Sequence, residues 1–306
     1  MHLDGFVILA GVIVGFAVGL TGMGGGALMT PVLVLLLHVQ PGAAVSSDLV
    51  ASVFMKPVGG AVHLRRGTVH LRLAAWLVTG AAPAAFAGAA LLHFLAHGKA
   101  LQNDIKLGLG AALLVAVAGI ALRSLVAPKV VAEAGDEPWP RVRPVPTLLV
   151  GVIGGVIVGM TSVGSGSLMI VALMFLYPTL TGSQLVGTDL VQSVPLVASA
   201  ALGQLLFGQV SLSVTTSLLL GSLPAVYLGA RLSAVAPTRM MRPAIAAVLL
   251  VSALKLVGVG NAWLLVALAA TVVALVAGAL LLRVLRRATT ATAPTPEAGL
   301  EPAPAG

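Results

Sequence analysis

The chain has 306 residues, of which 58% are hydrophobic and 8% charged, and its mean hydropathy is +1.09. Soluble domains carry about 25% charged residues, so composition excludes a soluble globular fold and points to an all-α polytopic membrane protein. The net charge of +8 does not point to nucleic acid, because Lys and Arg sit in short loops between apolar runs, the pattern that orients membrane proteins.

The expected environment is therefore the lipid bilayer. The sequence has no cysteine, which excludes thiolate metal sites and thiol catalysis. No metal site or cofactor is expected. The start, Met1-His2-Leu3-Asp4-Gly5, lacks the basic region of a signal peptide, so the first apolar run is read as retained.

That run, from 5 to 37, would reach about 50 Å as a single helix, against roughly 30 Å of hydrocarbon. It is too long for one span and short for two. Inside it lies Thr21-Gly22-Met23-Gly24-Gly25-Gly26, followed by Pro31, and such a sequence disfavours a regular helix. A pair of short helices meeting at this glycine break is expected, either re-entrant or fully spanning. Spans follow at 45–64, 73–95 and 105–126. The stretch 128–146 is rich in proline and charge and reads as a cytoplasmic linker between a first repeat, 1–127, and a second, 147–258. The second repeat opens on 147–177, with its own break at Thr161-Ser162-Val163-Gly164-Ser165-Gly166, and continues with spans at 185–207, 212–232 and 240–257. A final span is placed within 259–288, and the tail, 289–306, is expected to be disordered.

The repeat can be followed residue by residue. Gly19, Thr21, Gly24, Gly26, Leu28 and Met29 match Gly159, Thr161, Gly164, Gly166, Leu168 and Met169, 140 positions later. After a slip of one, Asp48, Ser52, Gly67, Gly80, Pro83 and Gly88 match Asp189, Ser193, Gly208, Gly221, Pro224 and Gly229. Loop charge then orients the copies. Arg65, Arg66 and Arg72 follow the Asp48 span, whereas the matching loop after the Asp189 span has no Lys or Arg; the next loop reverses the contrast, with three arginines from Arg231 to Arg242. Because positive loops favour the cytoplasm, corresponding loops fall on opposite faces. The expected architecture is two inverted-topology repeats, each beginning with a Gly-broken helix pair, plus one C-terminal span, with the N-terminus outside and the C-terminus cytoplasmic. Inverted repeats with interrupted helices are characteristic of secondary transporters.

Two constellations could carry chemistry. Helices restarting at the breaks present N–H groups and positive dipole ends that attract anions. The expected binding set is Thr21, Gly22, Gly24, Gly25, Gly26, Thr161, Ser162, Gly164, Ser165 and Gly166. By contrast, Gly80, Gly88, Gly221 and Gly229 are read as close helix packing. The second constellation is a stripe on the following helix, Asp48, Ser52, Lys56, Gly59 and His63 in the first copy, with Asp189, Ser193 and Gln204 in the second and Gln192 beside them. Ionisable groups inside spans usually face an interior path, so Lys56, Ser52, Ser193 and Gln192 join the binding set, and Asp48 and Asp189 are expected to couple transport to a proton. Capping of helix starts is the alternative for the two aspartates, and a purely structural partner the alternative for Lys56.

Enzyme readings are disfavoured. Gly187-Thr188-Asp189 is not the Gly-x-Gly-Asp of intramembrane aspartyl proteases. Val163-Gly164-Ser165-Gly166 lacks the first glycine of a Gly-x-Ser-Gly signature, and no histidine follows His97. HExxH and P-loop patterns are also missing from the sequence.

The run Gly15–Met29, the approach Pro41–Asp48, the loop His63-Leu-Arg-Arg-Gly-Thr-Val69 and the repeated Gly-x-x-Pro at Gly80–Pro83 resemble the sulfite exporter TauE/SafE family of bacterial and plant permeases. The resemblance runs from Gly5 to Lys255. It implies movement of sulfite, sulfonates or related sulfur-containing oxyanions across the cell inner (plasma) membrane. The expected function is thus a secondary transporter of a small anionic substrate. A channel-like or receptor subunit without coupled transport is the alternative.

Overall fold

In the computed structural model, the described residues are 4–21, 25–95, 105–119, 139–166, 168–232 and 238–259. They form ten helices: α1 Gly5–Thr21, α2 Gly26–Leu35, α3 Pro41–Arg65, α4 Leu71–Leu95, α5 Ile105–Gly119, α6 Pro144–Thr161, α7 Leu168–Leu176, α8 Gly182–Phe207, α9 Leu212–Leu232 and α10 Thr238–Leu256. Gly22, Met23 and Gly24, the linker up to residue 138, the final span and the tail lie outside the described residues, as does the side chain of Thr21.

Among the described residues the outer surface is strongly apolar, and a set of polar and charged side chains is buried within the apolar core. Phe6, Ile13, Leu149 and Leu206 are each more than half exposed, whereas Asp48, Lys56, Asp189 and Gln192 are buried. A surface of this kind is matched to hydrocarbon rather than water. α4, α6, α8 and α9 are long and apolar enough to cross a bilayer by length and composition. α3 has the length too, with 25 residues, but carries the polar stripe. α2 and α7, of ten and nine residues, reach only about half the hydrocarbon thickness.

Both long polar helices start where local chemistry says they should. Pro41 occupies the first turn of α3, where its missing N–H is no loss. Thr181 caps α8 in a capping box: its hydroxyl accepts from the Gln184 N–H, and the Gln184 side chain accepts from the Thr181 N–H. Asp48 and Asp189 therefore lie about two turns inside their helices, which removes capping as their role.

The two repeats are interlocked. The most extensive packing of α1 is against α9, and that of α6 is against α4. Gly11 and Gly15 sit on the backbone of Leu218 and Ser222, while Gly221 and Gly229 sit on Ile8 and Phe16; the two helices run side by side in the same direction. In the other pair Gly151 and Gly155 sit on Leu77 and Ala81, while Gly80 and Gly88 sit on Leu148 and Val156. Each contact in one pair is the repeat-equivalent of a contact in the other. The packing role expected for Gly80, Gly88, Gly221 and Gly229 is what the structure has.

Between these pairs α3 crosses α8 in the opposite direction. Ser46 meets Gln204 at one end of the crossing, Gly59 meets Leu190 further along, and His63 meets Gly187 at the other end. Asp4, the start of α3 and the start of α9 share one face, where Asp4 N–H donates to Ser217 and Gly42 lies beside Gln209. The opposite face gathers the α3–α4 loop, the starts of α6 and α8, and Trp139–Pro140, whose carbonyl and ring meet His70. α5 and α10 depart from the pairing: both pack on the side of α2, in one apolar core built from Leu33, Leu109, Leu113, Leu249 and Ala253.

Candidate functional site

The second break is fixed by its backbone. α6 ends at Ser162, which is left-handed at φ 60°, and Gly164 and Gly166 follow at φ 122° and 100°. The last two need glycine, because a side chain is strained there. α7 then restarts with the Leu168 and Met169 N–H groups both donating to the Gly164 carbonyl. The first break restarts in the same way, with Leu28 and Met29 N–H donating to Gly25.

The breaks touch. Gly26 lies so close to Ser162 that a Cβ on it would overlap the Ser162 carbonyl. A shared polar cavity between the breaks is the picture that sequence suggests; among the described residues the two breaks meet in direct contact at Gly26 and Ser162. A cavity of about 270 Å³ lies elsewhere, at the α2–α3 corner, lined by His38, Gln40, Pro41 and Lys106 among others.

A buried polar cluster surrounds the seam. α2 runs antiparallel to α3, with Gly25 beside Ser52 and Thr30 beside Asp48, so α2 climbs from the middle of α3 back to its start. The start of α1 and the end of α2 thus lie toward the same face, that of the start of α3. Asp48 Oδ2 accepts from Thr30 Oγ1 at 2.9 Å and from Ser162 Oγ at 2.7 Å. Lys56 Nζ donates to Ser165 Oγ at 2.5 Å, reaching across to the second break. Gln192 Nε2 donates to Asp189 Oδ1 at 2.9 Å. Lys56 is also attracted electrostatically by both Asp189 and Asp48. Because α3 and α8 cross antiparallel, the two carboxylates stand on opposite sides of the crossing, with Lys56 close to its centre. No second lysine completes the symmetry, since the equivalent position is the buried Val197.

The sequence-derived set divides into three. Gly25, Gly26, Ser162, Ser165, Asp48, Ser52, Lys56, Asp189 and Gln192 are in or beside the cluster. Thr161 and Ser193 are buried near it, but the Thr161 hydroxyl donates to Ile157 and accepts from the Val163 N–H, while the Ser193 hydroxyl donates to Leu190. Their donors serve their own chain. Gly164 and Gly166 shape the break. Thr30 is the residue that sequence reading missed; a hydroxyl in an otherwise apolar half-helix was the signal, and its repeat-equivalent is Ile170. Gln204 belongs to one end of the crossing, accepting from Ser46 at 2.8 Å and donating to the Gly159 carbonyl at 3.0 Å.

The arrangement offers a small ion one buried ammonium, several hydroxyls and the positive ends of two half-helices, with two carboxylates as counterweight. Such a site suits binding and charge balance rather than bond making. Comparison with known proteins agrees on the class. The family model described as Sulfite exporter TauE/SafE matches residues 7–256. The chain is 38% identical over 253 residues to the probable membrane transporter protein YjnA of Bacillus subtilis (strain 168), covering 82% of this chain and 98% of that one. It is 25% identical over 239 residues to the probable membrane transporter protein YdhB of the same organism, covering 78% and 94%. No solved structure matches it.

Proposed function

The chain belongs to the sulfite exporter TauE/SafE family, and from that premise we propose that this membrane transporter is a secondary carrier of a small sulfur-containing oxyanion, such as sulfite or a sulfonate, bound where the two glycine breaks meet. The observation that carries the reading is the Lys56 ammonium, buried mid-bundle and held on the hydroxyl of the opposite break. A cation at that depth is retained only where it has a partner or a ligand. The remaining binding groups are the hydroxyls and backbone of Ser162, Ser165 and Gly24–Gly26, with Ser52 and Gln192 beside them.

Alternating access is supported by the exchange of partners between repeats. α1 and α9 run together, α4 and α6 run together, and α3 crosses α8 in the opposite sense. An operation that swaps the repeats and maps α3 onto an antiparallel α8 supports reading them as inverted, the arrangement in which one half rocks against the other about a midplane site. Arg65, Arg66, Arg72, Arg141 and Arg143 all lie at the face opposite Asp4, which supports the reading of that face as the cytoplasmic side of an inner membrane with the N-terminus outside.

Purified protein in proteoliposomes is expected to take up labelled sulfite or sulfoacetate with saturation, and to accelerate that uptake when unlabelled anion is preloaded. Flux proportional to concentration without preloading stimulation would identify a channel. Absence of flux for every small anion would sink the transport reading for this substrate class.

A further inference from the structure

Asp48 and Asp189 occupy equivalent positions in the repeats, yet their surroundings differ. Asp48 has both described hydrogen bonds on Oδ2, from Thr30 and Ser162, and its Oδ1 is buried with no partner. Asp189 has Oδ1 engaged by Gln192 and makes a further interaction. The difference is written in the sequence: the equivalents of Thr30, Ser162 and Gln192 are Ile170, Gly22 and Ala51. Unpartnered buried polar atoms are rare in native structures and call for an explanation. Of the three such side-chain atoms among the described residues, two belong to this cluster, Asp48 Oδ1 and Gln192 Oε1, and both are acceptors.

Charge points the same way. Two carboxylates and one ammonium leave the cluster at net −1 before any substrate arrives. An oxyanion would deepen that charge in a medium where uncompensated charge is severely penalised. One proton on a carboxylate removes the conflict.

We propose that Asp48, and not Asp189, takes up the proton that accompanies the anion, at Oδ1, while Asp189 stays ionised as the counter-ion of Lys56; this rests on the transport reading above. The step is a plain proton transfer: water on one side of the membrane supplies H⁺ to the Asp48 carboxylate, the neutral acid forms, and the proton leaves to water on the other side. The groups facing Asp48 are Thr30 from α2, Ser162 from the second break, Gly25 from the first, and Ser52, Met55 and Lys56 from α3, with Asp189 acting from α8 across Lys56. Gly22, Met23 and Gly24 carry no ionisable side chain. A proton needs one acceptor, whereas hard cations such as Mg²⁺ take about six oxygens. By linkage, proton and anion then favour each other's binding by the same factor.

Infrared spectroscopy of the full-length protein in lipid tests the assignment to Asp48 before any anion is added, so an absence of uptake counts against the proposed function alone. Titration between about pH 4 and pH 9 should show the high-frequency C=O band of a buried carboxylic acid. Asp48→Asn should lose that band, Asp189→Asn should keep it, and sulfite added at constant pH should enlarge it in the wild type. If Asp48→Asn does not fold, Asp48→Glu serves instead, and its band should move. A band missing from the wild type, unmoved in Asp48→Glu, surviving in Asp48→Asn or lost in Asp189→Asn overturns the assignment, and a band indifferent to sulfite overturns the linkage.

Discussion

Gly26→Ala should abolish anion uptake and lower the thermal midpoint of the purified protein, although the variant still inserts into the membrane. The added methyl would overlap the Ser162 carbonyl oxygen and crowd its carbonyl carbon and hydroxyl. Neither wall can yield cheaply. Ser162 holds a left-handed conformation at the end of α6 and donates to Asp48, so displacing it dismantles the cluster as well as the seam. Overpacking of a close-packed interior costs about 1–3 kcal/mol and sometimes more, and a backbone-on-backbone clash belongs at the upper end. Gly25 is the internal control for stability. It has a right-handed backbone, and a Cβ there would come no closer than 3.6 Å to Met55. The thermal midpoint of Gly25→Ala should therefore fall much less than that of Gly26→Ala, as read by unfolding in detergent.

Lys56→Met carries the second large effect. Removing one partner of a buried charge constellation destabilises by about 3–5 kcal/mol, because the remaining charge is left uncompensated. Here two carboxylates lose their common cation. Uptake should fall by more than about a hundredfold, since 1.4 kcal/mol is a factor of ten, and stability should fall with it. The double change Lys56→Met with Asp189→Asn separates the two effects. It returns the cluster from net −2 to the wild-type −1, so the thermal midpoint should recover part of the loss, a non-additivity expected of residues in one network. Uptake should not recover, because the countercharge for the anion is still missing. Recovery of uptake in the double variant would mean that Lys56 serves the fold alone.

Much of this was legible in the chain. The span 185–207 covers all of α8 but its first three residues and 212–232 coincides with α9, because apolar length and turn residues fix them locally. The glycine breaks were legible too, since backbone that only glycine tolerates leaves its mark at Gly164 and Gly166. The repeat offsets even align with contacts: Gly80 and Gly221, 141 apart, touch Leu148 and Ile8, which are 140 apart. What could not be read was which helix meets which. Nothing local tells α1 that its partner is α9 rather than a helix of its own repeat. Hydroxyl partners were equally hidden, because a serine or threonine beside a helix break can bond to its own backbone or across the bundle. Thr161 and Ser193 do the first, and Ser162 and Thr30 the second. The contact of Gly26 on Ser162 was hidden for the same reason.

The central claim is that the anion binds at that seam, and the natural lack of cysteine allows a direct measurement. A single cysteine introduced at Ser165 should react with a small methanethiosulfonate reagent when the carrier opens, and sulfoacetate should slow that reaction at least about tenfold, close to 1.4 kcal/mol of protection. A cysteine at Leu206, on the outer surface, should show no protection. Equal labelling of the Ser165 position with and without sulfoacetate, in a protein that transports it, would contradict the account.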